Sequence, residues 1–263
     1  MSTSQPLIRV HVHEHAGTVI LNRTAKRNAL SRQLLADLLQ AFGDLHQERR
    51  VRAVVLTGAG TAFSAGMDLE EMRATGDEPN PHARWRDDTL LYQEVLTTIL
   101  RFPKPVIAAV NGPAMAGGAG LVLAADVVIA SENATFGLPE PLRGLSAAVV
   151  SPLLTFRLGG GYAAYLLMTA KGIDAREAHR VGLVHEIIAA DHLWPRAVEL
   201  AAACARCAPE SLQITKRMLN ETIGEHLDTL LTAGAALSAA ARSTESAAEG
   251  LAAYREKRQP KWP

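Results

Sequence analysis

The chain has 263 residues, 48% of them hydrophobic and 21% charged, a composition that excludes intrinsic disorder and suits one large domain or two modest ones. Basic and acidic residues balance at 27 each. No overall field therefore draws the chain to nucleic acid or to an anionic membrane, and an anionic ligand must be held by local groups.

The first predicted elements are strands at 8–13 and 17–22, both rich in β-branched residues. His11, His13 and His15 alternate there, which fits a metal-binding face in principle and a solvated edge strand more simply. A helix follows at 31–46, with Leu34, Leu35, Leu38, Leu39 and Phe42 at helical spacing and Ser31 as its N-cap. A strand at 53–57 leads into a glycine turn at 63–69 (FSAGMDL). Residues 74–82 are polar, hold two prolines and lack an apolar period, so they read as a mobile loop suited to serve as a lid.

A second strand, turn and helix unit occupies 106–125, followed by a strand at 126–130; this alternation indicates an α/β fold. The run 105–125 has the length of a membrane span, roughly 20 residues. Asn111-Gly112-Pro113 and the glycines at 117, 118 and 120 break it in the middle, so we read it as buried strand, turn and buried helix, with no membrane partner. Beyond residue 151 helices are predicted at 152–158, 161–169, 174–181, 193–207, 211–223 and 227–257. We divide the chain into a core at 1–195 and a helical region at 196–263, with no Pro-, Gly- or Ser-rich linker between them. Cys204 and Cys207 form a C-x-x-C within an alanine-rich helical stretch that lacks a second such pair, so neither metal nor redox chemistry is expected. The N-terminal residues carry no secretory pattern, and a cytoplasmic location is the expectation.

The turns at 63–69 and 111–120 both lie behind apolar strands, and together they suit an oxyanion hole. Backbone N–H groups at a glycine turn and at a helix start are fixed donors for a carbonyl oxygen that gains charge. A dinucleotide site is the competing reading of Gly117 to Gly120; the full G-x-G-x-x-G spacing is missing, as is an acidic residue to hold a ribose.

Over essentially its whole length the sequence resembles the crotonase superfamily, the enoyl-CoA hydratase/isomerases. The matching stretches are 22–30 (NRTAKRNAL), 57–72 (TGAGTAFSAGMDLEEM), 104–112 (KPVIAAVNG), 116–120 (AGGAG), 134–140 (ATFGLPE), 181–184 (VGLV) and 250–258 (GLAAYREKR). The resemblance implies a spiral of repeated ββα units followed by a helical trimerisation region, hence a homotrimer or homohexamer. It implies an acyl-CoA substrate and no separate cofactor; RNA binding, a secondary role in one branch of the family, would want a lysine-rich helix that residues 31–50 do not provide, so no nucleic-acid partner is expected. By motif position the oxyanion donors would be the N–H groups of Met67 and Gly117, and Glu140 would be the acid-base residue. Met67 taken alone also reads as an ordinary core methionine.

The resemblance further places Ala65, Asp68 and Leu69 beside the coenzyme and Lys26, Arg27 and Ala29 along its channel. Lys26 and Arg27 are either phosphate partners or solvated surface cations. Met115, Gly118 and Gly120 would lie against the ligand, and the loop 74–88 with Trp85 would shape the acyl end. Family members that hydrate 2-enoyl thioesters resemble a two-carboxylate design, but this chain has Gly120 where the first glutamate would stand. Neither Tyr165 nor the neighbouring apolar helix supplies an obvious replacement. Glu140 sits in an apolar stretch that raises its pKa, unless it pairs with Arg143 on the surface. One carboxylate suffices to move a proton between carbons, as an isomerase does, and hydration stays open beside it. Thioester hydrolysis, carbon–carbon lysis and non-catalytic acyl-CoA binding are the alternatives.

Overall fold

The computed structural model describes residues 5–262, apart from the side chains of residues 222 and 223. Strands β1 (Ile8–His13) and β2 (Ala16–Leu21) form an antiparallel hairpin, and β2 then pairs in parallel with β3 (Ala53–Gly58). Parallel pairing continues through β4 (Val106–Val110) and β6 (Val127–Ser131) to β9 (Glu186–Ile188), giving the six-stranded order β1-β2-β3-β4-β6-β9. A smaller sheet joins β5 (Ala114–Met115), β7 (Thr135–Gly137) and β8 (Ile173–Asp174).

Both faces of the large sheet are covered at β2, β3, β4 and β6, which is why these strands are apolar at successive positions instead of alternating, whereas the edge strand β1 is exposed along most of its length. Val54 and Leu56 of β3 face the main core, where they meet α1 (Arg32–Gln47) and α3 (Pro81–Arg101). Ala53 and Val55, with Ile107 and Ala109 of β4, face a second core closed by Leu193, Ala197 and Ala201 of α7 (Leu193–Ala205). As expected, Ser31 caps α1, its hydroxyl accepting from Leu34 N at 3.2 Å.

The region 74–88 differs from its reading as a loop. Residues up to Gly76 belong to α2 (Leu69–Gly76), and from Pro81 the chain is already in α3. Trp85 is buried in α3 with Asp88, Thr89 and Tyr92, so this segment is a wall of the core and not a lid strung over it. Proline at the first helical position is the reason a proline-rich stretch starts a helix here.

Helix α4 (Gly117–Ala124) is buried throughout and continues from the second glycine turn. In the C-terminal region 152–158 and 161–169 are halves of one helix, α5 (Ser151–Thr169), kinked where Gly159 leaves helical geometry at φ 76°. Helix α6 (Ala175–Arg180) precedes β9, a strand that the all-helical reading of this region did not contain. Helix α8 (Pro209–Arg217) runs into a π-helical turn, Met218–Ile223. The stretch read as one helix at 227–257 is two, α9 (Leu227–Ala241) and α10 (Glu245–Glu256), separated at Thr244, whose hydroxyl caps the second. Among the described residues no helix is long and apolar enough to cross a membrane.

Candidate active site

The two glycine turns are knit together by main-chain bonds. Phe63 N and Ser64 N donate to Pro113 O, and Met115 N donates back to Ser64 O at 2.9 Å. Asn28 fastens a third loop to them: its side-chain amide donates to Ala59 O and Ala62 O at 2.9 and 2.8 Å, and its main-chain carbonyl accepts from Ser64 Oγ. Gly66 has φ 86°, and a Cβ there would fall 2.6 Å from Ala116 Cβ and 3.0 Å from Gly117 N. This bare backbone lets the first turn lie directly against the start of α4.

Two main-chain N–H groups are left over at this junction. Leu30 brackets Met67, donating to Gly66 O and accepting from Asp68 N, which turns the N–H of Met67 to the opposite side. Ala116 takes a strained φ of 52° and donates to Gly137 O, leaving Gly117 N as the first free donor of α4. Among the described residues neither Met67 N nor Gly117 N has an acceptor, and both residues line a cavity of about 540 Å³.

Glu140 lines the same cavity from a 3-10 turn, Glu140–Arg143. Its Oε2 is buried with no hydrogen-bond partner, and burial lifts its pKa to about 7 against the opposing pull of Arg143. The alternative of a Glu140–Arg143 surface pair is corrected here. Arg143 Nε is itself buried without a partner, and its guanidinium lies over the ring of Tyr254, 4.8 Å from the centroid. A carboxyl poised near neutrality in one cavity with two unpaired N–H donors can take a proton from carbon or water and return it.

Tyr92 is the cavity residue that the sequence reading missed. It projects from α3, is 4% exposed, and donates from Oη to Gly117 O at 2.6 Å. Burial raises its pKa well above the usual phenol value, and the charge of Glu140 adds to that. A Cβ at Gly120 would come within 2.0 Å of this Oη, and one at Gly118 within 2.6 Å of Ser64 O. Gly118 and Gly120 are bare because neighbouring groups fill the space a side chain would need. The apolar spacing Tyr92, Val95, Leu96, Ile99 was the signal for this helix.

Lys26, Arg27, Ala29, Ala65, Leu69 and Met115 all contribute to the lining. Lys26 is paired with Glu70, at 2.8 and 2.7 Å to its two oxygens, whereas Arg27 is exposed with a left-handed φ of 49°. Asp68 also reaches the cavity, but its carboxylate is committed: it pairs with Arg23 at 2.5 Å and caps α2 through Glu70 N and Glu71 N. Ser238 of α9 and Arg242 just beyond it add to the lining. Buried Arg242 lies 3.8 Å from Asp88, which also holds Arg32 through both oxygens at 2.6 and 3.0 Å. Among the described residues no group of three His, Cys, Asp or Glu side chains is placed to hold a metal ion.

Comparison with known proteins places the fold in a family. The family model for enoyl-CoA hydratase/isomerase matches residues 13–263. A Thermus thermophilus protein bearing an enoyl-CoA hydratase name is 41% identical over 94% of this chain and 97% of its own length. The short-chain-enoyl-CoA hydratase of Clostridium acetobutylicum is 35% identical over 92% of this chain and 91% of its own. The crystal structure of an enoyl-CoA hydratase/isomerase from Xanthobacter autotrophicus superposes with a TM-score of 0.88 at 28% identity, covering 96% of this chain and 94% of that one. With the α/β core, the helical C-terminal region and the glycine-turn cavity, these matches make the chain a member of the enoyl-CoA hydratase/isomerase family, the crotonase superfamily.

Proposed function

We propose that this protein processes an enoyl-CoA through a thioester enolate, with the N–H groups of Met67 and Gly117 holding the thioester oxygen and Glu140 carrying the proton. The observation that bears most weight is the meeting of two unpaired main-chain donors and a carboxylate whose Oε2 is buried without a partner in one cavity. Fixed donors in a dry site stabilise charge developing on oxygen at no cost in reorganisation, each contributing about 3–4 kcal/mol. Arg27 in the lining is the local cation open to a coenzyme phosphate, while Lys26 would first have to exchange Glu70.

Hydration of a 2-enoyl-CoA and isomerisation of a 3-enoyl-CoA both fit this machinery. The hydratase relatives support the first; the presence of a single carboxylate at the reacting end supports the second. Incubation with each substrate, following absorbance of the conjugated thioester, separates them. Loss of absorbance with the 2-enoyl ester reports hydration, and gain with the 3-enoyl ester reports isomerisation. Glu140→Gln is expected to lower either rate by about 10³-fold or more while leaving acyl-CoA binding intact; a fully active variant would remove Glu140 from the mechanism.

A further inference from the structure

Adding water to a carbon–carbon double bond demands more of a site than moving a proton between carbons. The water must be held by two acceptors so that both hydrogens are engaged and a lone pair is aimed at the β-carbon. Glu140 is one acceptor, with Oε2 buried and free of any protein donor. The cavity has a second in Tyr92. A carbonyl oxygen only accepts, so the 2.6 Å bond to Gly117 O uses the phenol's one proton and leaves the lone pairs of Oη as what it can offer a ligand.

Geometry fixes the position of that oxygen. It fills the space that a side chain at position 120 would occupy, since a Cβ there would meet Oη at 2.0 Å and Val150 Cγ2 at 3.1 Å. The same bond ties it to the residue whose N–H opens α4, and both Tyr92 and Glu140 line the cavity. Burial keeps the phenol protonated at neutral pH, which makes it a neutral acceptor and neither base nor nucleophile.

We propose that Tyr92 Oη and the Glu140 carboxylate together hold the attacking water, and that this pair makes the site a hydratase. The inference rests on the enoyl-CoA reading above. One water hydrogen points to Tyr92 Oη and the other to Glu140. The water oxygen bonds to the β-carbon as Glu140 takes its proton, and the π electrons move onto the thioester oxygen held by Met67 N and Gly117 N. Glu140 then returns the proton to the α-carbon, so the product is the 3-hydroxyacyl thioester and the enzyme is unchanged. Tyr92 is a positioning residue in this scheme, with no proton of its own transferred.

Tyr92→Phe keeps the ring and deletes the acceptor. Two rates test it: hydration of a short 2-enoyl-CoA, and exchange of the α-hydrogen of the saturated acyl-CoA in deuterated buffer, which needs Glu140 and the oxyanion donors but no held water. The expected result is a fall in hydration kcat of about 10- to 100-fold, with KM and the exchange rate each within about threefold of wild type. Unchanged hydration overturns the inference. So does an equal fall in both rates, because a phenol that merely braces the Gly117 carbonyl would slow both. Should Tyr92→Phe fail to fold, 3-fluorotyrosine at position 92 weakens the acceptor without removing it and must give the same split. A wild-type protein that exchanges the α-hydrogen but adds no water ends this inference and leaves the enolate reading standing; one that does neither ends both.

Discussion

Burial that lifts Glu140 to about 7 helps the chemistry and costs the fold. Below its ordinary value of 4.5 the group is protonated in folded and unfolded chains alike, and the stability is full. Between 4.5 and about 7 only the unfolded chain ionises, so stability falls; above about 7 the loss is constant, on the order of 3 kcal/mol. Glu140→Gln escapes this penalty. Urea unfolding should show the variant gaining that amount over wild type at pH 8 and almost nothing at pH 4.5, and equal gains at both would contradict the account. Arg143 pulls the same carboxyl downward, so Arg143→Leu should move the acid limb of the pH–rate profile to higher pH; a limb that stays or moves down would show that Arg143 does not act on Glu140. The meeting of Met67, Gly117 and Glu140 in one cavity was legible because each sits at a fixed place in a short motif. Tyr92 was not, since it acts on Gly120 from 28 residues earlier in the chain, and nothing local to either residue records the contact.

The helix that carries Tyr92 was illegible for a related reason. Its first turns, from Pro81 to Asp88, look like surface because they open on a proline, follow another at Pro79 and hold several charges, yet Trp85, Asp88 and Thr89 face inward. Asp88 tolerates burial by binding Arg32 through both oxygens, a compensation that only the folded chain reveals. Strands β3 and β4, the first helix and the start of α4 were read within a residue or two, because covered sheet faces and an amphipathic helix leave strong local patterns. The break between α9 and α10 was missed for want of a glycine or proline, Thr244 marking it by capping alone. Helix α8 is fastened to the sheet by Lys216, 8% exposed, which binds Asp126 Oδ2 at 2.6 Å and Ile99 O at 3.0 Å. Lys216→Ala leaves Asp126 without its cation and should cost about 3 kcal/mol in chemical denaturation at pH 7. A loss under about 1 kcal/mol would show that water replaces the ammonium freely.

On the scale of the whole molecule, the inner strands of the sheet are sealed on both faces while parts of the helical region are not. Ile214, Leu237 and Met168 are 65%, 62% and 81% exposed, more apolar surface than these elements need for the core of one chain. The resemblance that implies a trimer gives this surface an occupant, further copies of the same chain. Sedimentation equilibrium should therefore return the mass of three or six chains, and Leu237→Glu should shift it downward; a monomer at micromolar concentration would refute both. The interlock of α3 with α4 reaches further still, into how such a site can change by descent. A glutamate introduced at Gly120 alone collides with the Tyr92 hydroxyl, and a smaller residue at position 92 alone leaves a hole and an unbound Gly117 carbonyl. Conversion between a phenol site and a two-carboxylate site thus has no comfortable single-step route, and the two positions must be inherited, and engineered, as one.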